Sequence, residues 1–336
     1  MQENNRKFLL YEKVIFHMLS GVLLIIGVML AITTLVGVLS NLAVCLAVWW
    51  NKKLRSQLSL FLVCLAVSDI GMSTSCMPFA VATVVFRTQN IDAIFCYFNG
   101  FINSLFSLAS ILTICSISIF QYVSVVLPLE KQLTNFRCLV MVISVWIISG
   151  FLAMGPMMHW GRYDFTSNIF NCEFYNSSQK AQISYNITLS FAGFVFPLGL
   201  IAFSYISIYR TLRTHKSSIE RTSAISSPPT QGASISVTTK IATTIGLIIA
   251  TFLVCRTPFF VYLLLTVKAS DYSFDFLGQL SFWAVYLHSA CNPFIFAFKQ
   301  AEYQETLTEI YQGCCLVLRE GCCGNTKDKK KVKPTT

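Results

Sequence analysis

Apolar positions along this chain gather into seven long blocks, and the polar positions gather into the short intervals between them. Val14 to Trp50 contains no Asp, Glu, Lys or Arg. Ser56 to Phe86 holds one charge, Asp69, while Ala93 to Leu129, Cys138 to Gly161 and Ala181 to Tyr209 hold none. Ile241 to Val267 contains only Arg256, and Phe276 to Phe298 is again free of charge. A helix crosses the hydrocarbon core of a bilayer with about 20 apolar residues. Each block reaches that length and is too long for a barrel strand. Every backbone group in lipid must be paired within its own segment, so helices are expected. The pattern predicts an all-α membrane protein: a seven-transmembrane bundle over 21–298, with spans near 23–50, 57–84, 93–126, 137–158, 182–212, 237–267 and 275–298. Residues 1–20 precede it. The first block is too long for the apolar core of a signal peptide and is expected to act as an uncleaved first span.

The intervals that follow the odd-numbered spans are the basic ones. Together with the C-terminal tail they carry 17 Lys and Arg against 7 Asp and Glu, while the opposite side carries 7 of each. The excess equals the whole net charge of +10. By the positive-inside rule the basic side is cytoplasmic, which puts the N-terminus outside and the C-terminus in the cytoplasm. Because the excess charge borders membrane segments, it gives no ground for a nucleic-acid partner. The chain is 54% hydrophobic and 12% charged, where a soluble domain carries about 25% charge.

Two intervals are longer than the others. His159 to Lys180 faces outside and contains the glycosylation sequon Asn176-Ser177-Ser178. Thr214 to Ser236 faces the cytoplasm and reads as a polar tether. Residues 299–312 suit a short amphipathic helix, with Tyr303, Leu307 and Ile310 on one face. Behind it, in the basic tail 313–336, Cys314, Cys315, Cys322 and Cys323 stand beside lysines. They are either palmitoylated or free thiols. Of 13 cysteines, only Cys96 and Cys172 fall near the outer surface, where an oxidising space favours a disulfide between them. The intramembrane cysteines read as small apolar packers. The four histidines include no pair at metal-ligand spacing on one helix face, and no phosphate loop or nucleophile constellation is found, so neither an enzyme nor a metal site is expected.

Landmark residues then appear in order. They are Gly37-Val38-Leu39-Ser40-Asn41 in span one, Leu65-Ala66-Val67-Ser68-Asp69 and Pro78 in span two, and Cys96 and Ser110 in span three. Trp146 and Pro156, Pro197 and Tyr205, Phe252 and Pro258, and Asn292-Pro293 follow in the remaining spans. In these residues the chain resembles the rhodopsin-like class of G-protein-coupled receptors along every span. The resemblance implies a plasma-membrane receptor that binds a ligand outside and couples to a heterotrimeric G protein. The outer loop, His159-Trp160-Gly161-Arg162-Tyr163-Asp164 followed by Cys172-Glu173-Phe174-Tyr175, resembles that of opsins or of melatonin receptors. The opsin chromophore lysine matches Tyr286, so no covalent retinal is expected, and no other cofactor is implied.

Three switch motifs of the family are altered. The Asp-Arg-Tyr motif reads Phe120-Gln121-Tyr122, the Cys-Trp-x-Pro motif reads Cys255-Arg256-Thr257-Pro258, and the Asn-Pro-x-x-Tyr motif ends in Phe296. Gln121 loses the family's fixed cation and Phe120 its acidic partner. Phe296 lacks the hydroxyl that would share a water network with Tyr205. Altered or weakened coupling is the expectation. A non-signalling homologue, acting as a decoy or as a membrane partner of another receptor in a dimer, is the alternative.

Arg256 is a permanent cation at bilayer depth, which costs about 2.5–3.5 kcal/mol even on lenient scales. The family's inner cavity, which often holds sodium, matches Asn41, Asp69, Ser110 and Asn292. One reading has Arg256 reach down to Asp69, with Asn292 or His288 completing the set in place of the ion. A second points it upward as an anchor for an acidic ligand, and a third lets it snorkel to water. The family's ligand positions match Asn103, Ser104, Ser107, Leu189, Gly193, Phe259, Phe260, Leu263, Phe282 and Tyr286, bordered by Arg256. Asn103 stands where amine receptors have an Asp, which disfavours an amine. The apolar, aromatic wall suits a lipid-like or compact aromatic molecule.

Overall fold

In the computed structural model, residues 2–87, 91–128, 132–166, 171–174, 180–222, 243, 246–247, 249–263, 265, 275–299 and 301–322 are described; within them, the side chains of 2–20, 166, 173–174, 215–222, 275–276, 296–299 and 314–322 are not. Sequon residue Asn176 and Cys323 lie outside the described residues, as do the side chains of Phe296, Cys314, Cys315 and Cys322.

Helix α1 runs Gln2–Trp50. Its helical backbone starts well ahead of residue 23, and the first Gly or Pro of the chain is Gly21, so nothing in the sequence before it breaks a helix. Helix α2 spans Gln57–Phe86, with a π turn over Met72–Cys76. Ser56 caps it by accepting from the Ser59 amide. Helix α3 covers Ala93–Val126, capped by Asp92, and α4 covers Asn135–Ala153, capped by Thr134. Helix α5 comprises Lys180–Ser190 and Phe196–Thr222 joined by a second π turn, Phe191–Val195. Helix α6 is described over Ile249–Leu263, α7 is Asp275–Lys299, and α8 is Ala301–Cys322. Among the described residues, five helices (α1 to α5) are long and apolar enough to cross a membrane; α6 is a shorter apolar stretch.

Both π turns have the same local cause. Each precedes a proline by a residue or two, Pro78 in α2 and Pro197 in α5. Proline has no N–H to return to the turn before it, so the ladder loosens there. The amides of Met77 and Phe196 instead reach back five residues, to the carbonyls of Met72 and Phe191.

Helix α3 occupies the centre and packs on α2, α4 and α5, while α1 packs on α2 and α7. Leu24, Ile32, Leu35, Ile147, Phe151 and Phe203 face outward from α1, α4 and α5. Lipid is as apolar as these side chains, so close packing and interhelical hydrogen bonds must hold the bundle together. Gly71 supplies one such contact. A Cβ there would sit 2.3 Å from the ring of Phe106 on α3, which meets Trp146 on α4 edge-on. Asn41 supplies another, donating to the Gly37 carbonyl at 2.9 Å and across to the Ser289 carbonyl on α7 at 3.0 Å.

At one end of the bundle, β1 (Tyr163–Thr166) and β2 (Asn171–Phe174) form an antiparallel hairpin. A disulfide joins Cys172 of β2 to Cys96 of α3. The buried Tyr163 hydroxyl donates to the Ala153 carbonyl at 3.0 Å, which seats the hairpin on α4. At the opposite end α8 folds back against α1. Tyr303 and Thr306 are its buried positions, Leu307 and Ile310 are half-buried, and Thr306 accepts from Asn51 at 2.8 Å. The α8 backbone stays helical past residue 312, through Gly313 to Cys322.

Candidate ligand pocket and inner polar core

At the hairpin end, α3, α5, α6 and α7 diverge around a cleft. Its lining includes Asn103, Ser104 and Ser107 from α3, Leu189 and Gly193 from α5, Arg256, Phe259, Phe260 and Leu263 from α6, and Phe282 from α7. Leu108, Ile111 and Val285 also line it and are absent from the family-matched set. Val285 lies one turn beyond Phe282, so helical spacing alone pointed to it.

The π turn of α5 shapes one wall. It turns Gly193 toward the cleft, where a Cβ would lie 3.4 Å from Leu108 and 3.8 Å from Phe260. Phe259, Phe260 and Phe282 form the aromatic part of the lining, beside the aliphatic Leu108, Ile111, Leu189, Leu263 and Val285. Phe194 stacks on Phe260 at 4.4 Å, Phe260 meets Phe259 edge-on at 5.5 Å, and Phe259 meets Phe282 edge-on at 5.3 Å. Tyr286 does not line the cleft. Its ring packs edge-on against Phe282, and its hydroxyl accepts from Asn171 of β2 at 2.5 Å. The position matching the opsin lysine thus ties α7 to the outer hairpin. Asn171 is fully buried, and this tie spans 115 residues of sequence.

Arg256 forms part of the floor and is 1% exposed. Its Nη1 donates to the Ser107 hydroxyl at 2.6 Å, while Nε and Nη2 meet no acceptor among the described residues. The direct pair between Arg256 and Asp69 is a correction to the sequence reading. No guanidinium nitrogen comes within 4.0 Å of the carboxylate, and the ion pair among the described residues is the exposed Arg162–Asp164 at 3.4 Å. The reason is geometric. One oxygen of Asp69 accepts from Ser110 on α3 at 3.1 Å, and the other accepts from Asn292 on α7 at 2.9 Å. Arg256 instead takes the Ser107 hydroxyl, one turn nearer the hairpin on α3. Asn292 therefore serves Asp69 and does not complete a set around Arg256. His288 does not do so either. It is fully buried with both ring nitrogens unpartnered among the described residues, and its ring meets Phe252 edge-on at 5.9 Å.

Beyond Asp69, toward α8, an apolar layer closes the bundle. Leu65, Ile114 and Phe252 are fully buried in one continuous cluster with Ile201 and Phe61. Phe120 packs on Phe61 at 5.7 Å, and Tyr122 packs on Phe203 at 5.4 Å. Gln121 is buried between them at 4% exposure. Tyr205 is 42% exposed on the outer side of α5, close to Gly246. Pro258 lies in α6 two residues after Arg256, and Pro293 interrupts α7 directly after Asn292.

This order of pocket, buried carboxylate and apolar layer along a seven-helix bundle defines a membrane receptor. The family model described as 7 transmembrane receptor (rhodopsin family) matches residues 40–296, and the chain belongs to that family. It is therefore a G-protein-coupled receptor, a multi-pass protein of the plasma membrane and not an enzyme. A high-affinity lysophosphatidic acid receptor of Xenopus laevis is 24% identical over 93% of this chain and 88% of its own length. The human 5-hydroxytryptamine receptor 4 is 29% identical over 85% of this chain and 78% of its own. A rhodopsin of Mizuhopecten yessoensis described as GQ-coupled is 33% identical, over 57% of this chain and 39% of its own. Squid rhodopsin shares the fold, with a TM-score of 0.79 across 92% of this chain and 89% of that one at 22% identity.

Proposed function

We infer that this receptor binds a small, largely apolar or aromatic molecule in the cleft between α3, α5, α6 and α7, and signals to a heterotrimeric G protein. The hairpin end and N-terminus face outside, and α8 with the basic tail faces the cytoplasm, in keeping with the asymmetry of Lys and Arg. The observation that carries the reading is the cleft itself. Its wall is aliphatic and aromatic, it holds a few convergent polar groups on α3, and it lies next to the Asp69–Ser110–Asn292 cluster. A ligand that moves α3 or α7 there acts at once on helices that hold this cluster.

The relatives support a receptor but differ in what their names say they bind, so the ligand class rests on the cleft. At the cytoplasmic end Gln121 supplies hydrogen-bonding capacity without charge, and Phe120 locks onto Phe61. Coupling then depends on contacts other than the usual arginine. With Tyr286 in place of a lysine, no Schiff base to retinal forms at that position.

The test is basal and ligand-stimulated G-protein activation in cells at matched surface expression, comparing the unmodified receptor, empty cells and Arg256→Trp. Activation above empty cells by either receptor supports coupling. Silence of both, with coupling that appears only in the Phe120→Asp/Gln121→Arg double variant, overturns it in favour of a non-signalling homologue, a decoy or a membrane partner.

A further inference from the structure

Arg256 sits in a place where its charge has no structural employment. Its side chain is 1% exposed, it lines the cleft, and one nitrogen of three has a partner. The two unpartnered nitrogens, Nε and Nη2, share one edge of the planar guanidinium. That edge presents two parallel N–H donors, the fork that matches the two oxygens of an oxyanion. Ser107 holds the opposite corner, so the plane is fixed before any ligand arrives.

Charge narrows the choice of oxyanion. Arg256 is the single cation among the lining residues, and no acid lines the cleft. Asp69, the nearby carboxylate, has both oxygens engaged by Ser110 and Asn292. Asp69 attracts the guanidinium only from beyond contact distance, so a positive charge without a counter-ion in contact calls for a monoanion. Around Ser107 on the lining, Leu108 and Ile111 are apolar, while Asn103 and Ser104 are polar but uncharged and add no second cation for a dianion. Above the floor, the Phe259, Phe260 and Phe282 rings suit an apolar or aromatic body.

We propose that Arg256 is a ligand-binding residue, and that the receptor takes a monocarboxylic acid with an apolar or aromatic body, inserted head-down so that its carboxylate is gripped by the Nε–Nη2 edge. This rests on the small-ligand reading above and gives that ligand a chemical class and an orientation.

The probes are decanoate and 4-phenylbutyrate, with their methyl esters, decylamine and dodecyl phosphate as comparisons. Each is added to the purified full-length receptor while thermal unfolding is followed. At a hundredfold excess over Kd an acid raises the midpoint by several degrees, about 5 °C or more. The esters and the amine leave it unchanged. Arg256→Gln removes the shift. Arg256→Lys, a point charge without the fork, weakens binding about tenfold. Ser107→Ala weakens it several-fold while keeping the cation, and so reads the site even where Arg256→Gln fails to fold. Methyl esters matching their acids, an acid shift that survives Arg256→Gln, dodecyl phosphate outcompeting both acids, or no acid exceeding its ester each overturn the assignment. G-protein activation by a neutral ligand would overturn it while leaving the receptor reading intact.

Discussion

Replacing Arg256 by methionine keeps an unbranched apolar stem and removes the guanidinium with its charge. In most proteins, taking one member of a buried ion pair away costs about 3–5 kcal/mol, because the other charge is left unpaired. Here the carboxylate of Asp69 keeps both donors, Ser110 and Asn292, whether or not Arg256 is present. What is lost is the bond from Nη1 to Ser107, worth about 1.5–3 kcal/mol for a charged donor. The cost removed, about 2.5–3.5 kcal/mol for a guanidinium at bilayer depth, is of the same size or slightly larger. Attraction from Asp69 beyond contact distance offsets part of the gain. Arg256→Met is therefore expected to be neutral to about 1 kcal/mol more stable. Thermal unfolding of the two purified receptors without ligand, side by side in one detergent, measures this. A loss of about 3 kcal/mol or more would mean that the guanidinium is paired after all, and would sink both the geometry and the ligand argument built on it.

Further outcomes follow from the packing. Gly71→Ala pushes a methyl into the Phe106 ring and is expected to lower stability by about 1–3 kcal/mol, with Phe106→Leu restoring part of it, read as surface expression and unfolding midpoint. Asn41→Ala removes the bridge from α1 to the Ser289 carbonyl and is expected to cost about 1 kcal/mol, the usual scale of interhelical hydrogen bonds in membranes. Gly193→Leu, in contrast, is expected to reach the surface normally while filling the cleft between Leu108 and Phe260, so that ligand response shifts to higher concentration without loss of expression. Tyr286→Phe releases the Asn171 amide and is expected to loosen the hairpin, seen as faster amide exchange in β2.

The bundle was legible in the sequence because bilayer physics is strict. Runs such as Phe276 to Phe298, without a charge and flanked by Asp275 and Lys299, admit little besides a spanning helix, and α7 has those two residues as its ends. The Cys96–Cys172 bond was legible from compartment alone. The π turns were signalled only indirectly, by Pro78 and Pro197, because loosened ladders have no composition of their own. Two features could not be read. The direction of Arg256 is set by contacts between helices, with Ser107 taking Arg256 while Ser110 and Asn292 take Asp69. The partner of Tyr286 lies in the hairpin, and no periodicity within α7 points to it. Sequence patterns report which face of an element is apolar; they do not report which of two distant polar groups will be satisfied first.

Ser107 and Ser110 are neighbours on one rigid rod, about 4.5 Å apart along the axis of α3. One is bound by the cation of the cleft and the other binds the buried carboxylate. The two bonds therefore share a single lever arm. A molecule that draws the guanidinium away from Ser107 changes the torque on α3 at a point less than one turn from the Asp69 contact, with no hinge between them. Helix α3 cannot answer the first event without transmitting it to the second, and the same rod carries Gln121 at its far end.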